Sequence, residues 1–211
     1  SASAVLGDFA FLSGDLCREL ADIKTYAKRD FVIVVPPNEA WARLIEEVHG
    51  SRAKRVIRYA FRKEPDAFDE EQLQEVVRSL SDEFMIRLID EDLYYACKEE
   101  AWSRDLVSQY ADYERYNRLG IGVVILKDGL LVSGASSYST YAGGIEIEID
   151  TRKEYRRRGL AYTCGAALIL ACRKRNLYPS WDAQNTWSAA LAQKLGYRFE
   201  REYVAYEVQA E

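Results

Sequence analysis

The stretch EYRRRGLA, residues 154 to 161, decides how this 211-residue chain is read. Arg156, Arg157 and Arg158 run into Gly159, and Leu160 and Ala161 lead into YTCGAALILACRKRN (162–176), which holds no helix breaker. A helix start leaves backbone N–H groups unpaired and carries partial positive charge, so it favours phosphate. A glycine in front lets the backbone close on such a ligand. The period-two run GGIEIEID (143–150) precedes the stretch, so the spacing predicts a strand, a loop over 151–158 and a helix from about 160. The arginines carry charge enough for two phosphates, and Ala161 and Gly165 would keep the first helical turns slim. A solvated corner before a helix is the competing reading, and the stretch alone does not separate the two.

Working outward, composition narrows the field. The chain is 48% hydrophobic and 30% charged, with four prolines and twelve glycines, which is globular and leaves no room for a low-complexity linker. A net charge of −5 argues against general binding to nucleic acid or anionic membranes and suits a cationic, amine-bearing substrate. Cys17, Cys97, Cys164 and Cys172 are scattered without metal-like spacing, which predicts a reduced, cytoplasmic setting. The apolar runs FVIVV and GAALILAC are too short to span a bilayer. The opening SASA reads as a flexible start without a signal pattern. A single histidine, His49, leaves histidine triads and multi-histidine metal sites without their residues, so no metal is expected. His49 itself reads as a surface or C-terminal helix residue.

Strands and helices alternate along the chain. DFAFLS and FVIVV (31–35) read as strands. NEAWARLIEEVHG (38–50) is an amphipathic helix capped by Asn38, with Trp41, Leu44, Ile45 and Val48 as its stripe. RVIRYAF (55–61) alternates as a strand, and 65–80 is helical. The polar SLSD suggests a boundary, giving an N-terminal α/β subdomain over 1–82 and a second domain over 83–211. In the second, FMIRLI is a strand, 90–119 is helical, and IGVVILKDGLLVSGASSYS is a hairpin turning at Lys127-Asp128-Gly129. YPSWD (178–182) is a short strand, NTWSAALAQKLG (185–196) a capped helix, and YRFEREYVAYEV closes with strands. This is an α/β (α+β) mixture.

The pattern Arg-x-x-Gly-x-Ala at 156–161 resembles the signature of the general N-acetyltransferase (GNAT) superfamily. Asn185 opening a helix, with Gly196-Tyr197 eleven residues later, resembles that superfamily's next landmark. The likeness covers about 130 residues. The string IEIDTRKEYRRRGLA…YPSWDAQN…LAQKLGY looks closest to bacterial acetyltransferases related to the zwittermicin A resistance protein. The resemblance implies a mixed, mostly antiparallel sheet flanked by helices, with residues 1–82 as a degenerate second GNAT half. It implies acetyl-CoA as acetyl donor and a primary amine, of a small molecule, as acceptor in a ternary complex. The pyrophosphate would rest on the N–H groups of Arg157 to Ala161, with Arg156 and Arg158 beside them. The pantetheine arm would pair like a strand along Ile147, Ile149 and Thr151. Asn185, Ser188 and Ala192 would form a slim helical face for it, opposite the stripe Trp187, Leu191 and Leu195.

Amine acetylation needs a base, a donor to the thioester carbonyl and an exit for the thiolate. Along GIEIEID the isoleucines point one way and Glu146, Glu148 and Asp150 the other. Glu146, then Glu148, is the candidate base; the wet face of a sheet is the competing reading. Many GNAT enzymes carry a tyrosine where this chain has Ala192, so Tyr138, Tyr141 or Tyr203 is left as the acid, or none. The hydroxyl-rich stretch 134–144, with Ser136, Ser137 and Tyr138, reads as a substrate loop, and Asp182 as a residue that orients an amine or caps a turn. Trp181 reads as structural. A non-catalytic acyl-CoA sensor is the rival function. A dinucleotide-dependent oxidoreductase lacks its G-x-G-x-x-G. A homodimer is compatible with the sequence.

Overall fold

A computed structural model describes residues 1–25 and 31–209. They gather into two compact units: Ser1–Ala60 with the stretch from Arg201 onward, and Phe61–Glu200. The boundary expected after residue 82 falls inside the second of these.

In chain order the first unit holds β1 (Ala2–Leu6), β2 (Phe9–Ser13), α1 (Arg18–Ala21), β3 (Phe31–Val35), α2 (Glu39–His49) and β4 (Ala53–Phe61). Then come α3 (Glu70–Arg78), β5 (Met85–Leu88), α4 (Glu91–Glu99), α5 (Tyr113–Leu119), β6 (Gly122–Lys127), β7 (Leu130–Tyr141) and β8 (Gly144–Thr151). The chain continues with α6 (Leu160–Lys174), β9 (Tyr178–Ser180), β10 (Asp182–Ala183), α7 (Thr186–Lys194) and β11 (Phe199–Gln209).

In the first unit β11 lies between β3 and β4, and beyond β3 come β2 and then β1. The opening residues, expected to be flexible, are β1, zipped antiparallel to β2 from Ala2↔Ser13 to Leu6↔Phe9. Their small side chains gave the sequence reading no periodicity to follow. Trp41, Ala42 and Ile45 of α2 pack on Ala10, Leu12, Val32, Val34, Tyr206 and Val208. Asn38 starts that helix as expected, its Oδ1 accepting the Trp41 N–H at 3.1 Å. His49 ends it as expected too, though it is buried, with Nε2 2.8 Å from the Ala21 carbonyl.

The second unit is built on the sheet β5-β6-β7-β8-β9. Every pairing is antiparallel except β8 with β9. The hairpin between β6 and β7 turns at Asp128-Gly129, both at positive φ, as its sequence demands. Helices cover both faces of this sheet, so β6 is apolar from Gly122 to Leu126. Val123 and Ile125 meet Leu160, Cys164 and Leu168 of α6, whereas Val124 and Leu126 join the cluster of Leu93, Tyr94 and Tyr116 from α4 and α5.

The stretch 134–144 is mostly strand rather than a loop, because β7 runs on to Tyr141. Ser136 and Ser137 are fully buried. The Ser136 hydroxyl meets the Tyr116 hydroxyl at 2.9 Å, and the Ser137 hydroxyl meets that of Tyr110 at 2.7 Å. Buried hydroxyls persist when paired in this way, so these serines tie the helical layer to the sheet. Ser136→Ala or Ser137→Ala should strand a buried phenol and cost about 1–3 kcal/mol of unfolding free energy. A lowered urea midpoint would register that loss, with ligand affinity little changed.

Candidate active site

The defining geometry is the place where β8 and β9 part. They pair in parallel over only three positions, Gly144↔Tyr178, Ile145↔Pro179 and Glu146↔Ser180. From Ile147 to Thr151, β8 keeps β7 on one side and has no strand beside its other edge among the described residues. Two bonds hold β9 on its separate course. The Tyr197 hydroxyl donates to the Pro179 carbonyl at 2.7 Å, and Trp181 Nε1 donates to Ser188 Oγ at 3.1 Å. Trp181 is buried and lies edge-on to Tyr197, which is the structural role its sequence suggested.

Glu146 stands at the parting. As the alternation predicts, Ile145, Ile147 and Ile149 pack towards α6, leaving Glu146 and Glu148 on the opposite face. The Glu146 side chain is 28% exposed, and its Oε1 is 4.0 Å from Lys63 Nζ. Burial pushes its carboxyl up to about 7; Lys63 pulls the other way, Asp182 adds to the rise, and a hydrogen bond from Ser180 opposes it. The Ser180 hydroxyl also meets the Tyr141 hydroxyl at 2.6 Å. Lys63 Nζ lies 4.3 Å from the centre of the Tyr141 ring. That ring folds over Gly144, where an added Cβ would come within 2.2 Å of the Tyr141 hydroxyl. Glu148, opposite Ser136 in the register, is half-buried and lies beyond the end of β9.

The open edge of β8 runs directly into the arginine loop. Arg156 braces it, donating to the Thr151 carbonyl at 3.0 Å and to Asp150 Oδ1 at 3.2 Å. Thr151 is buried, its hydroxyl 2.7 Å from that of Ser133. Arg157 and Arg158 are exposed, and the Arg158 guanidinium lies over the Tyr155 ring. Gly159 holds φ +81° at the N-cap of α6, and no side chain caps the helix there. An added Cβ at Gly159 would meet nothing within 4 Å. The start of α6 is thus uncapped by any side chain and uncrowded at Gly159, which fits the phosphates of an acyl-CoA.

Other expected residues are engaged differently. Asn185 caps α7 through Oδ1, accepting the Ser188 N–H at 2.9 Å, and Ser188 Oγ is held by Trp181. The expected stripe on α7 is corrected at its first member: Trp187 is 85% exposed and Ala189 and Ala192 are buried, whereas Leu195 is buried as expected. Small residues there let the helix approach the core closely. Gly165 is slim for the same reason, an added Cβ falling 2.6 Å from Leu195 Cδ1. Tyr138 is half-buried at the bulge where β7 slips register between Ser137 and Ser139. Tyr203 belongs to the first unit. Asp182 is half-buried and acts on Glu146 through its charge. Lys63 and Ser180 went unnoticed in the sequence. Lys63 sits in the polar connector RKEP with no periodic signal, and Ser180 reads as an ordinary strand residue.

This is an α/β sheet fold with a splayed parallel pair feeding a helix N-terminus, and comparisons place it. The model of the GNAT acetyltransferase family matches residues 1–206, and the chain belongs to that family. It is 30% identical over 181 residues to the uncharacterized N-acetyltransferase YdfB of Bacillus subtilis strain 168, covering 80% of this chain and 63% of that protein. The chain thus spans less than two thirds of that relative's length. A solved GCN5-related N-acetyltransferase-like protein from Streptococcus suis 89/1591 is 50% identical, covers 95% of this chain and 79% of its own, and superposes with a TM-score of 0.89. A GCN5-related N-acetyltransferase from Kribbella flavida, 15% identical over 86% of this chain and 68% of its own, shares the fold at a TM-score of 0.57.

The raised carboxyl carries a stability signature. Between about 4.5 and about 7 the folded chain keeps a proton on Glu146 that the unfolded chain has released. The contribution of this group is therefore full below pH 4.5 and is lost as pH rises through about 7. Glu146→Gln cannot titrate, so its melting temperature should gain on the parent's across that window. Parallel calorimetric melts that stay a constant interval apart would show the carboxyl to be ordinary.

Proposed function

We propose that the chain is an acetyl-CoA-dependent N-acetyltransferase that acts on a primary amine of a small molecule. The observation that carries this reading is the edge of β8 that no strand covers among the described residues, which begins at Ile147 beside Glu146 and leads into the uncapped N-terminus of α6 behind Gly159. A pantetheine arm needs only backbone groups to pair along Ile147, Ile149 and Thr151. Arg157 and Arg158, with the N–H groups of Gly159, Leu160 and Ala161, would hold the pyrophosphate. When bound, acetyl-CoA supplies an activated thioester.

The chain's own residues account for the rest. Glu146, with its carboxyl at about 7, is matched to taking a proton from an ammonium near neutrality. Tyr141 and Asp182 make its surroundings favourable to a cation. The neutral amine then attacks the thioester carbonyl directly. A covalent acetyl-cysteine is disfavoured, since burial pushes the thiols of Cys97, Cys164 and Cys172 up to about 12. Ala192 supplies no acid, so the departing thiolate takes its proton from Tyr138 at the bulge or from solvent. The kinship with zwittermicin A resistance-like enzymes belongs to this reading and rests on the string around 147–197. A non-catalytic acyl-CoA sensor would bind the donor through the same elements without needing Glu146 in its ionised form.

Two measurements test this. Glu146→Gln should keep coenzyme A affinity and lose about 10²–10⁴-fold in acetylation rate over an amine panel, with the parent's rate rising through pH about 7. Full rate in the variant would remove Glu146 from the chemistry, and a parent that binds donor without turnover would favour the sensor. Gly159→Asp and Gly159→Asn share shape, and both residue types adopt positive φ. The Asp variant alone adds negative charge, so calorimetry should find coenzyme A bound at least about tenfold more weakly than by the Asn variant. Equal affinities would move the phosphates elsewhere.

A further inference from the structure

We propose that Lys63 is an acceptor that the enzyme carries within itself, and that Lys63 Nζ is acetylated by the chain's own site. The inference rests on the acetyltransferase reading above. Two groups that recognise an ammonium, a carboxylate and an aromatic face, converge beside the parting of β8 and β9, and they already hold one. Lys63 Nζ is 4.0 Å from Glu146 Oε1 and 4.3 Å from the centre of the Tyr141 ring. The Lys63 side chain is 60% exposed, so it is free to swing towards a donor beside Glu146. Its tether also gives it an effective concentration that free amines reach only at saturation. Lys127 also meets a carboxylate and a ring, in Glu83 and Phe84, but it ends β6 rather than standing beside the parting; Lys54 pairs with Glu207 in the first unit, and Lys174 is exposed at the end of α6.

The step balances. The Lys63 ammonium gives one proton to the Glu146 carboxylate, and the freed lone pair attacks the thioester carbonyl carbon of acetyl-CoA. A C–N bond forms and the C–S bond breaks. The thiolate leaves with the bonding pair and is protonated as the new amide nitrogen gives up its second proton. The product side chain is neutral and loses both the ion pair and the contact with the ring. Lys63 is the cation that holds the Glu146 carboxyl down against burial and Asp182. Its acetylation therefore lets that carboxyl climb further, and the modified enzyme needs a higher pH to present the same fraction of base. The site thus limits itself when donor is plentiful and acceptor scarce.

The test incubates the whole chain with acetyl-CoA, with and without an amine panel, and maps acetyl-lysines by peptide mass spectrometry. Lys63 should be acetylated ahead of Lys54 and Lys174, more so without added amine, and about 10²-fold more slowly in Glu146→Gln. Turnover of panel amines with Lys63 untouched overturns the inference and leaves the proposed function standing. Acetylation spread equally over Lys54, Lys63 and Lys174, and indifferent to Glu146→Gln, is uncatalysed chemistry and overturns it too. If no lysine and no amine is acetylated, both readings fall. A readout without donor stands beside these: Lys63→Gln, neutral like acetyl-lysine, should raise the NMR titration midpoint of the Glu146 carboxyl. An unmoved midpoint would mean the two side chains do not meet, which also overturns the proposal.

Discussion

The three-residue pairing of β8 with β9 is the constraint on which the rest depends. A longer pairing would cover the edge that begins at Ile147, and a shorter one would release Glu146 from its neighbour Ser180. The length is set from outside the sheet. Tyr197 holds the Pro179 carbonyl, and Trp181 turns away to the Ser188 hydroxyl at the first turn of α7. The Tyr197 ring is itself packed by Phe61, Phe68 and Trp181. The landmark Asn185…Gly196-Tyr197 thus acts here through architecture: the asparagine starts the helix and the tyrosine fixes the strand.

The electrostatics follow from that geometry. A carboxyl on an open strand face would titrate near its usual value. At the parting it is covered on two sides, and burial outweighs the help from Lys63 and Ser180. The same cover gathers the ring of Tyr141, which can lie where it does because position 144 has no side chain. A base, a cation and an aromatic face are therefore brought together by one local event in the sheet.

Much of this was legible beforehand. Period two in GIEIEID put the isoleucines on one face and Glu146 on the other, and the Asn and Gly punctuation located α2, α6 and α7. The readings that failed share a cause. SASAVL carries little side-chain signal, so its pairing with β2 is a tertiary fact. Ser136 and Ser137 look like surface residues until Tyr110 and Tyr116 arrive from distant positions to satisfy them. Trp187 was assigned to a core face that in fact belongs to Ala189 and Ala192, since close packing there rewards small volume over hydrophobic size. Lys63 is reached only through space, from a connector whose local pattern is silent.

The position of β11 sets the order in which the chain can mature. Tyr206 and Val208 fill the core of a unit whose other members come from the first sixty residues. On the ribosome β3 and β4 are both made before the strand that lies between them. Until then β3 offers an unfinished edge, the kind of surface that recruits wrong partners. The second unit can collapse as it emerges, because its sheet is closed by neighbours in sequence. The first must wait for β11, and long-range closure of that kind is intrinsically slow.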